Sequence, residues 1–574
     1  MATQVRENGI QIEVGRGKAG INSTLLMTAL AGAAALAVLV PFFFLGNASG
    51  HDFEFHLASW MDVAAQWRAG VFYPRWAALA NWGFGEARFI FYPPASWMLG
   101  TALSFVLPWD LVPGVFIWLA LSIAGIAMFT LAKEWLPTRD AMAAGALFAI
   151  NPYHLVIVYW RSDFAELLAS ALIPLALLFA IRTINDGRVS VWLAVVVTGV
   201  WLSNAPAAVV VTYTVALVLL VGSAQKRTIQ PLISGGAALA LSLALAAFYI
   251  VPAAYEQPWV NISEVLSQGL RFPENFLFTR TADIEHTRFN FIVSWVATET
   301  ISATLLAMIA SRRWWRGQRR LSWILWAWVT VSTILMLPVT TFLWTYLPEL
   351  HFVQFPWRWL LVLDVPFALC LAAAMGRLRG AVRYAAWAGA VAGLAITGFL
   401  LTRSNWWDPG GAADFYEEHF RNGAGYFGVD EYGPRGSDHY DLDQNAALVS
   451  FRSDQEMKGG ANAPVQHLHW HPARKEFTVD SPGPVTAALR LLNYPAWRVK
   501  VNGEPVPAFS DEHTGQLLIA LPAGKNRVQV SFVTTRDRIL GDVVSMLALV
   551  GLLIGILAYR RRRAGSGPLP GQAG

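Results

Sequence analysis

The chain has 574 residues and a net charge of +5, with 55% of its residues hydrophobic and 13% aromatic. A mean hydropathy of +0.42 excludes an ordinary soluble enzyme, and basic residues gathered beside apolar segments read as topology signals rather than a nucleic-acid surface. The single cysteine, Cys370, excludes an intrachain disulfide and a thiolate metal centre.

The polar, mildly basic start, 1–20, precedes an apolar run at 25–45 with no small-residue cleavage site after it, which predicts an uncleaved anchor. Further runs of bilayer length follow near 112–132, 141–159, 164–181, 189–203, 207–223, 231–252, 290–310, 321–338, 357–375, 384–402 and 539–559. The run at 95–108 is shorter and bracketed by Pro93-Pro94 and Pro108. If it lies as a helix on the outer surface, then Lys133, Arg139, Arg182, Arg188, Lys226, Arg227, the run 312–320, Arg377, Arg379, Arg383 and Arg560–Arg563 all fall on one side. The positive-inside rule therefore predicts about twelve spans in the cell membrane with both termini cytoplasmic. The expected organisation is a cytoplasmic segment 1–24, a membrane domain 25–402 with its first outer loop at 46–111, an outer domain 403–538, a last span 539–559 and a basic tail 560–574.

The first outer loop opens with His51-Asp52-Phe53-Glu54-Phe55-His56. Ionisable groups held beside a bilayer are costly and usually mark a site. Asp52 is the leading candidate for a catalytic base, because transfer to a hydroxyl needs a carboxylate that takes the proton as the acceptor attacks. Glu54 and Glu86 are alternates. The same Asp52 also reads as an N-cap for a helix over 53–69. His51 and His56 suit hydrogen bonds to sugar or phosphate, or a divalent cation shared with Asp52, the one cofactor these residues suggest. Arg75 and Arg88, in the same loop, are further phosphate candidates.

Beyond the loop, Arg161, Asp163 and Glu166 begin an apolar helix, with the two acids on one face. Arg161 suits a phosphate and either acid suits an acceptor or a divalent ion, although a salt-bridged helix start would use the same residues. In Gln354-Phe355-Pro356-Trp357-Arg358-Trp359, Arg358 falls just inside a span with indoles on either side. That depth matches a lipid-linked phosphate and also an interfacial snorkelling arginine.

Hydrophobicity drops after Arg403, and alternating segments at 477–479, 487–492, 497–501, 516–521 and 527–533 predict a small β-sandwich. Asn502-Gly503 reads as a hairpin turn, and 522–526 as a second turn. Asp430-Glu431-Tyr432-Gly433-Pro434 stands out as an acidic loop. His467, His469 and His471 would line one strand face, where they suit either a metal or solvent. No solenoid-length repeat, Walker lysine loop, nucleophile elbow or His-Glu-x-x-His helix is present.

His51-Asp52 with His56, Tyr73-Pro74-Arg75-Trp76, Phe91-Tyr92-Pro93-Pro94, Arg161 to Glu166 and Gln354 to Trp359 together resemble the bacterial polytopic "6-pyruvoyl-tetrahydropterin synthase-related" membrane proteins. These are similar in turn to YfhO-type proteins and the GT-C glycosyltransferases. The resemblance covers nearly the whole chain and includes Leu492-Asn493-Tyr494-Pro495-Ala496-Trp497 through Asn502-Gly503, which look like a YfhO C-terminal region. It implies a GT-C-like helical membrane fold with surface-lying helices in the first outer loop. It also implies a polyprenyl-phosphate sugar donor used outside the membrane, with the loop acid at Asp52. Many relatives carry paired acids there, where this chain has His51-Asp52. No residue here suggests a soluble pterin enzyme.

The expected function is therefore inverting transfer of a sugar from a polyprenyl phosphate to a lipid, glycan or protein acceptor. Its partners would be membrane lipids, that donor and the acceptor, with no nucleic acid. Two other classes compete. A flippase of lipid-linked glycans would place charges near mid-bilayer in repeated halves, whereas most charges here sit at span ends. A non-catalytic anchor for the outer domain leaves the ionisable loop cluster without a role.

Overall fold

The computed structural model describes residues 21–452 and 465–565. The polar start 1–20 and the end of the basic tail, 566–574, lie outside the described residues. Among these residues nine helices are long and apolar enough to cross a membrane: Ser23–Leu45, Trp109–Ala132, Thr138–Arg161, Phe164–Asp186, Ala205–Lys226, Ile284–Ala310, Pro356–Met375, Gly380–Arg403 and Arg536–Leu557. Such segments are helical because hydrocarbon offers no partner for backbone polar groups, so each must satisfy its own. Two bent pairs, Gln230–Leu245 with Ala247–Tyr255 (74°) and Arg312–Leu335 with Pro338–Tyr346 (91°), bring the number to eleven if each makes one crossing.

Differences from the expected spans fall where the chain breaks. Pro338 starts a new segment in the second pair, because it lacks the N–H that would continue a helix. The run at 189–203 forms a 13-residue helix, Val191–Ser203, short of the ~20 residues that span a hydrocarbon core. The run at 95–108 forms only Pro94–Ser104, too short to cross, as its flanking prolines predict. Gly100 lets this helix rest on the Trp60 indole, where a Cβ would come within 2.2 Å of the ring. Pro356–Met375 is central, with 89% of its apolar window buried, whereas Arg536–Leu557 is peripheral at 6%.

The C-terminal region holds two antiparallel sheets around one core. One orders Val449–Arg452, Val485–Leu492, Gln516–Leu521 and Phe509–Ser510; the other orders Val465–His471, Arg474–Ser481, Gly524–Phe532, Trp497–Val501 and Glu504–Val506. Phe477, Val479, Val528 and Val530 meet Ala487, Leu489, Leu491 and Ile519 between them, as period-two alternation requires. Asn502 and Gly503 take φ of 55° and 91°, the positive values of the expected hairpin turn. The second expected turn is shorter than 522–526, because pairing of Gly524 with Ser481 already begins the next strand. The strand Val465–His471 carries the three histidines, but a register shift between Gln466 and His469 interrupts their alternation, and His467 sits at φ 52°. His471 is anchored instead, its Nε2 2.9 Å from the Ala69 carbonyl oxygen.

The sheets are not a separate body on a tether. Trp76, Phe84, Ile90 and Phe91 of the first loop belong to the same core, and the Leu492 N–H donates to the Phe84 carbonyl at 2.9 Å. Buried Glu256, after the first bent pair, accepts from Arg538 at 2.7 and 2.8 Å and from Tyr494 Oη at 2.5 Å. That carboxylate ties the membrane bundle, the sheets and the last span to one point.

Candidate functional site

The site is built where three chain breaks meet. Helix Thr138–Arg161 ends in a wide turn over Ile157–Arg161, and Ser162 then adopts the left-handed conformation at φ 50°. This reversal exposes backbone carbonyls, on which Gly50–Asp52 is laid: His51 N donates to Trp160 O (3.1 Å) and Asp52 N to Arg161 O (2.8 Å). Ser162 Oγ accepts from Gly50 N at 3.0 Å and donates to Ala48 O at 2.8 Å. A Cβ on Gly50 would lie 2.4 Å from the Trp160 carbonyl oxygen, so only glycine permits the approach. Asn47–Ala48 pairs in turn with Trp407–Asp408.

This scaffold presents one charge cluster. Arg161 Nη2 donates to Asp52 Oδ2 at 2.6 Å and to Asp163 Oδ2 at 3.3 Å. Arg358 Nη2 stands 3.5 Å from the same Asp163 oxygen, and its Nε donates to Glu166 Oε2 at 2.9 Å. Tyr153 Oη donates to the other Glu166 oxygen at 2.6 Å, and His56 Nε2 lies 3.6 Å from Asp163 Oδ1. Burial alone would raise the Asp163 pKa, but His56, Arg161 and Arg358 outweigh it and hold that carboxyl well below the usual range. Phe355 lies between the arginines, its ring centroid 5.0 Å from the Arg161 guanidinium carbon and 4.8 Å from that of Arg358. The aromatic setting expected for Arg358 is thus Phe355, while Trp357 faces Arg161 at 5.3 Å.

A cavity of about 1100 Å³ opens over this cluster, lined by His51, Asp52, Arg161, Asp163 and Arg358. Its lining also includes apolar Trp201, Val209, Leu243, Ile250 and Phe352, and charged Asp283, Glu285 and Glu349. The charged side chains suit a phosphate or sugar and the apolar ones suit a lipid tail. Asp52 is the accessible acid, its side chain 34% exposed against 4% for Asp163 and 0% for Glu166. Although Asp52 stands at the start of helix Phe53–Arg68, its side chain makes no cap hydrogen bond; it is turned to Arg161 instead. Asp163 does both jobs, since its Oδ1 accepts from Glu166 N at 2.9 Å.

Other sequence candidates go elsewhere. Glu54 is exposed and does not line the cavity. His56 is buried, with Nδ1 3.4 Å from Ser96 Oγ, and supports Asp163 from behind. Glu86 is fully buried in a second polar cluster, where it accepts from Arg88 Nε at 2.6 Å and Val429 N at 2.9 Å. Arg88 also donates to Ser59 Oγ at 3.0 Å, so neither residue faces the cavity. Arg75 lines a different, smaller pocket. His51 packs edge-on against Phe289 at 4.9 Å, away from His56. Among the described residues no group of three His, Cys, Asp or Glu side chains is arranged to share a metal ion, so His51, Asp52 and His56 do not form the expected ligand set. His51 precedes helix Phe53–Arg68 and packs on Phe289, whereas His56 lies within it beside Asp163.

The cavity also gains residues whose role the sequence did not signal. Glu431 and Tyr432 reach it from the C-terminal region, and His286 from the start of Ile284–Ala310. Glu431 lies in the acidic loop that stood out by composition, but its place on this wall depends on contacts hundreds of residues away. Burial pushes its pKa up from 4.5 to about 7, with Glu86 adding to the rise. Between these values the unfolded chain releases a proton that the folded chain keeps, so stability falls as pH rises from about 4.5 to about 7. Glu431→Gln is expected to flatten that slope, as read from thermal unfolding midpoints across the same range.

Membrane-length apolar helices, a C-terminal pair of sheets and a buried charge cluster at a large cavity define a multi-pass membrane protein. The chain belongs to the family described as "6-pyruvoyl-tetrahydropterin synthase related domain; membrane protein", which matches residues 89–406. The match spans Arg161, Asp163, Glu166 and Arg358 and begins after Asp52. No curated protein matches the chain.

Proposed function

We propose that this protein is a GT-C-like, YfhO-like glycosyltransferase that moves a sugar from a polyprenyl phosphate to a lipid, glycan or protein acceptor, with inversion, on the extracytoplasmic side. The observation that carries the reading is the cavity itself, which brings an accessible carboxylate, Asp52, and two guanidiniums together with apolar side chains in one lining. In the proposed reaction the acceptor oxygen bonds to the anomeric carbon as Asp52 takes its proton. The bond from that carbon to the phosphate oxygen breaks, and the electron pair leaves with the phosphate. Arg161 and Arg358 then stabilise the charge that develops there. Asp163 and Glu166 act behind them, fixing the spacing of the two guanidiniums.

The test is turnover of a panel of polyprenyl-phosphate sugars by the purified chain. Release of polyprenyl phosphate with acceptor glycosylation supports the reading. Binding with no transfer or hydrolysis across the panel would return the protein to the flippase or scaffold classes.

The proposed orientation, with both termini cytoplasmic, reaches about twelve crossings only if Val191–Ser203 counts as a short one, and it has its own test. Cys370 is buried, so Lys525→Cys on the exposed rim of the sheets adds one accessible thiol. A membrane-impermeant maleimide is expected to label it in intact cells. Labelling only after lysis would invert the topology.

A further inference from the structure

The small pocket beside Arg75 holds groups of both signs that do not touch one another. It encloses about 330 Å³ where the first loop, the sheets and the last span meet, and shares no lining residue with the large cavity. Arg75 Nη2 donates to the Phe248 carbonyl at 3.1 Å, while Nη1 is buried with no hydrogen-bond partner. The Tyr73 hydroxyl, whose ring lies 4.6 Å from the Arg75 guanidinium carbon, is likewise buried without a partner. Buried donors left this way have lost their water without gaining a partner.

The second arginine of the pocket does not share this condition. Arg538 is taken up by Glu256 at 2.7 and 2.8 Å. Asp542 completes the wall. It is exposed and sits on Arg536–Leu557 among exposed Ile539, Leu540, Val543 and Met546. That helix packs one side on Ala247–Tyr255, where Phe248 N donates to Ser545 Oγ at 2.8 Å, and leaves the rest of its surface exposed. Among the described residues no ion pair within 4.0 Å involves Asp542 or Arg75. A carboxylate on a span is costly without a cation; Asp542 and Arg75 feel each other's charge across the pocket but do not close to an ion pair.

An anion for Arg75 and Tyr73, joined by a short linker to a cation for Asp542, describes a zwitterionic headgroup. We infer that this pocket binds the headgroup of an aminophospholipid, with the phosphate on Arg75 Nη1 and Tyr73 Oη and the ammonium on Asp542. The position fits, because the acyl chains would run along the exposed apolar face that carries Asp542. Bound there, the lipid would bridge the first loop, the sheets and the last span, beside the joint that Glu256 makes.

The test uses the full chain in nanodiscs of phosphatidylethanolamine and phosphatidylglycerol in equal amounts, with co-purified lipid measured by native mass spectrometry. Wild type is expected to retain phosphatidylethanolamine about fivefold over phosphatidylglycerol, a preference worth ~1 kcal/mol. Asp542→Asn, an exposed change that spares the core, is expected to abolish the preference but keep phosphate-bearing lipid. Arg75→Gln is expected to lose both, with an unfolding midpoint near wild type as the folding control. Equal retention of the two lipids by wild type, or an unchanged preference in Asp542→Asn, would overturn the inference. So would displacement of the lipid by inorganic phosphate alone, which marks a free-phosphate site. Displacement by a polyprenyl phosphate would do the same by making the pocket part of the donor route.

Discussion

Asp52→Asn is expected to lower sugar transfer by about 10²- to 10⁴-fold, the range for loss of a positioned general base, while donor binding stays within about twofold. Asparagine has nearly the same shape and keeps a carbonyl oxygen for Arg161 Nη2, now 2.6 Å from Asp52 Oδ2. Arg161 also retains Asp163 at 3.3 Å, so the cluster does not collapse when one charge is removed. What disappears is the capacity to accept a proton. A kcat loss at constant donor affinity therefore separates a base from a binding group. Glu431 supplies the internal control, since it is another acid on the cavity wall and burial raises its pKa to about 7. Turnover retained by Asp52→Asn but lost in Glu431→Gln would transfer the role of base to Glu431. Loss in both, with different pH profiles, would divide base and acceptor positioning between them.

Arg358→Ala is expected to destabilise the fold by about 3–5 kcal/mol, the cost of leaving buried charge uncompensated. Glu166 is fully buried, and Arg358 Nε at 2.9 Å is its ion-pair partner; Asp163 would lose a second cation at 3.5 Å. The Arg358→Met, Glu166→Gln double variant removes both charges and is expected to recover most of the loss. Arg358→Lys is expected to recover little, because an ammonium cannot span Glu166, Asp163 and the Val353 carbonyl, which Arg358 Nη1 reaches at 2.9 Å. Unfolding midpoints in detergent measure all three. A double variant as unstable as Arg358→Ala would show that packing on Phe355, rather than charge, sets the cost.

The parts of the fold that were legible in the sequence are those set by local periodicity and length. Uninterrupted apolar runs became helices, and Asn502-Gly503 became the expected turn, because each depends on a few neighbouring residues. The site was legible in part for a different reason. Asp52, Arg161, Asp163 and Arg358 betray themselves as charges beside apolar segments, which need partners wherever the chain carries them. Their actual partners were not legible, since Asp52 meets Arg161 only through the left-handed Ser162 and the bare Gly50. Glu86 and Arg75 look the same in sequence as Asp52 and Arg358, yet the first pairs with Arg88 and the second lines the small pocket. Whether an ionisable residue faces ligand or is consumed inside the structure is decided by contacts across hundreds of residues. The same is true of Glu431, which had composition to mark it but nothing to give it a place.

Glu431 and Tyr432 on the cavity wall have a consequence for how the protein matures. The ribosome delivers the chain from its beginning, so the apolar helices up to Met375 can be inserted before residue 431 is made. Until then the charge cluster has no wall on that side, and Phe91 and Trp76 lack the sheets that bury them. A nascent or truncated chain is thus an open vessel, and full enclosure waits for the final third of synthesis. Quality control that detects bare aromatic surface would see an unfinished molecule up to that moment and a finished one after it.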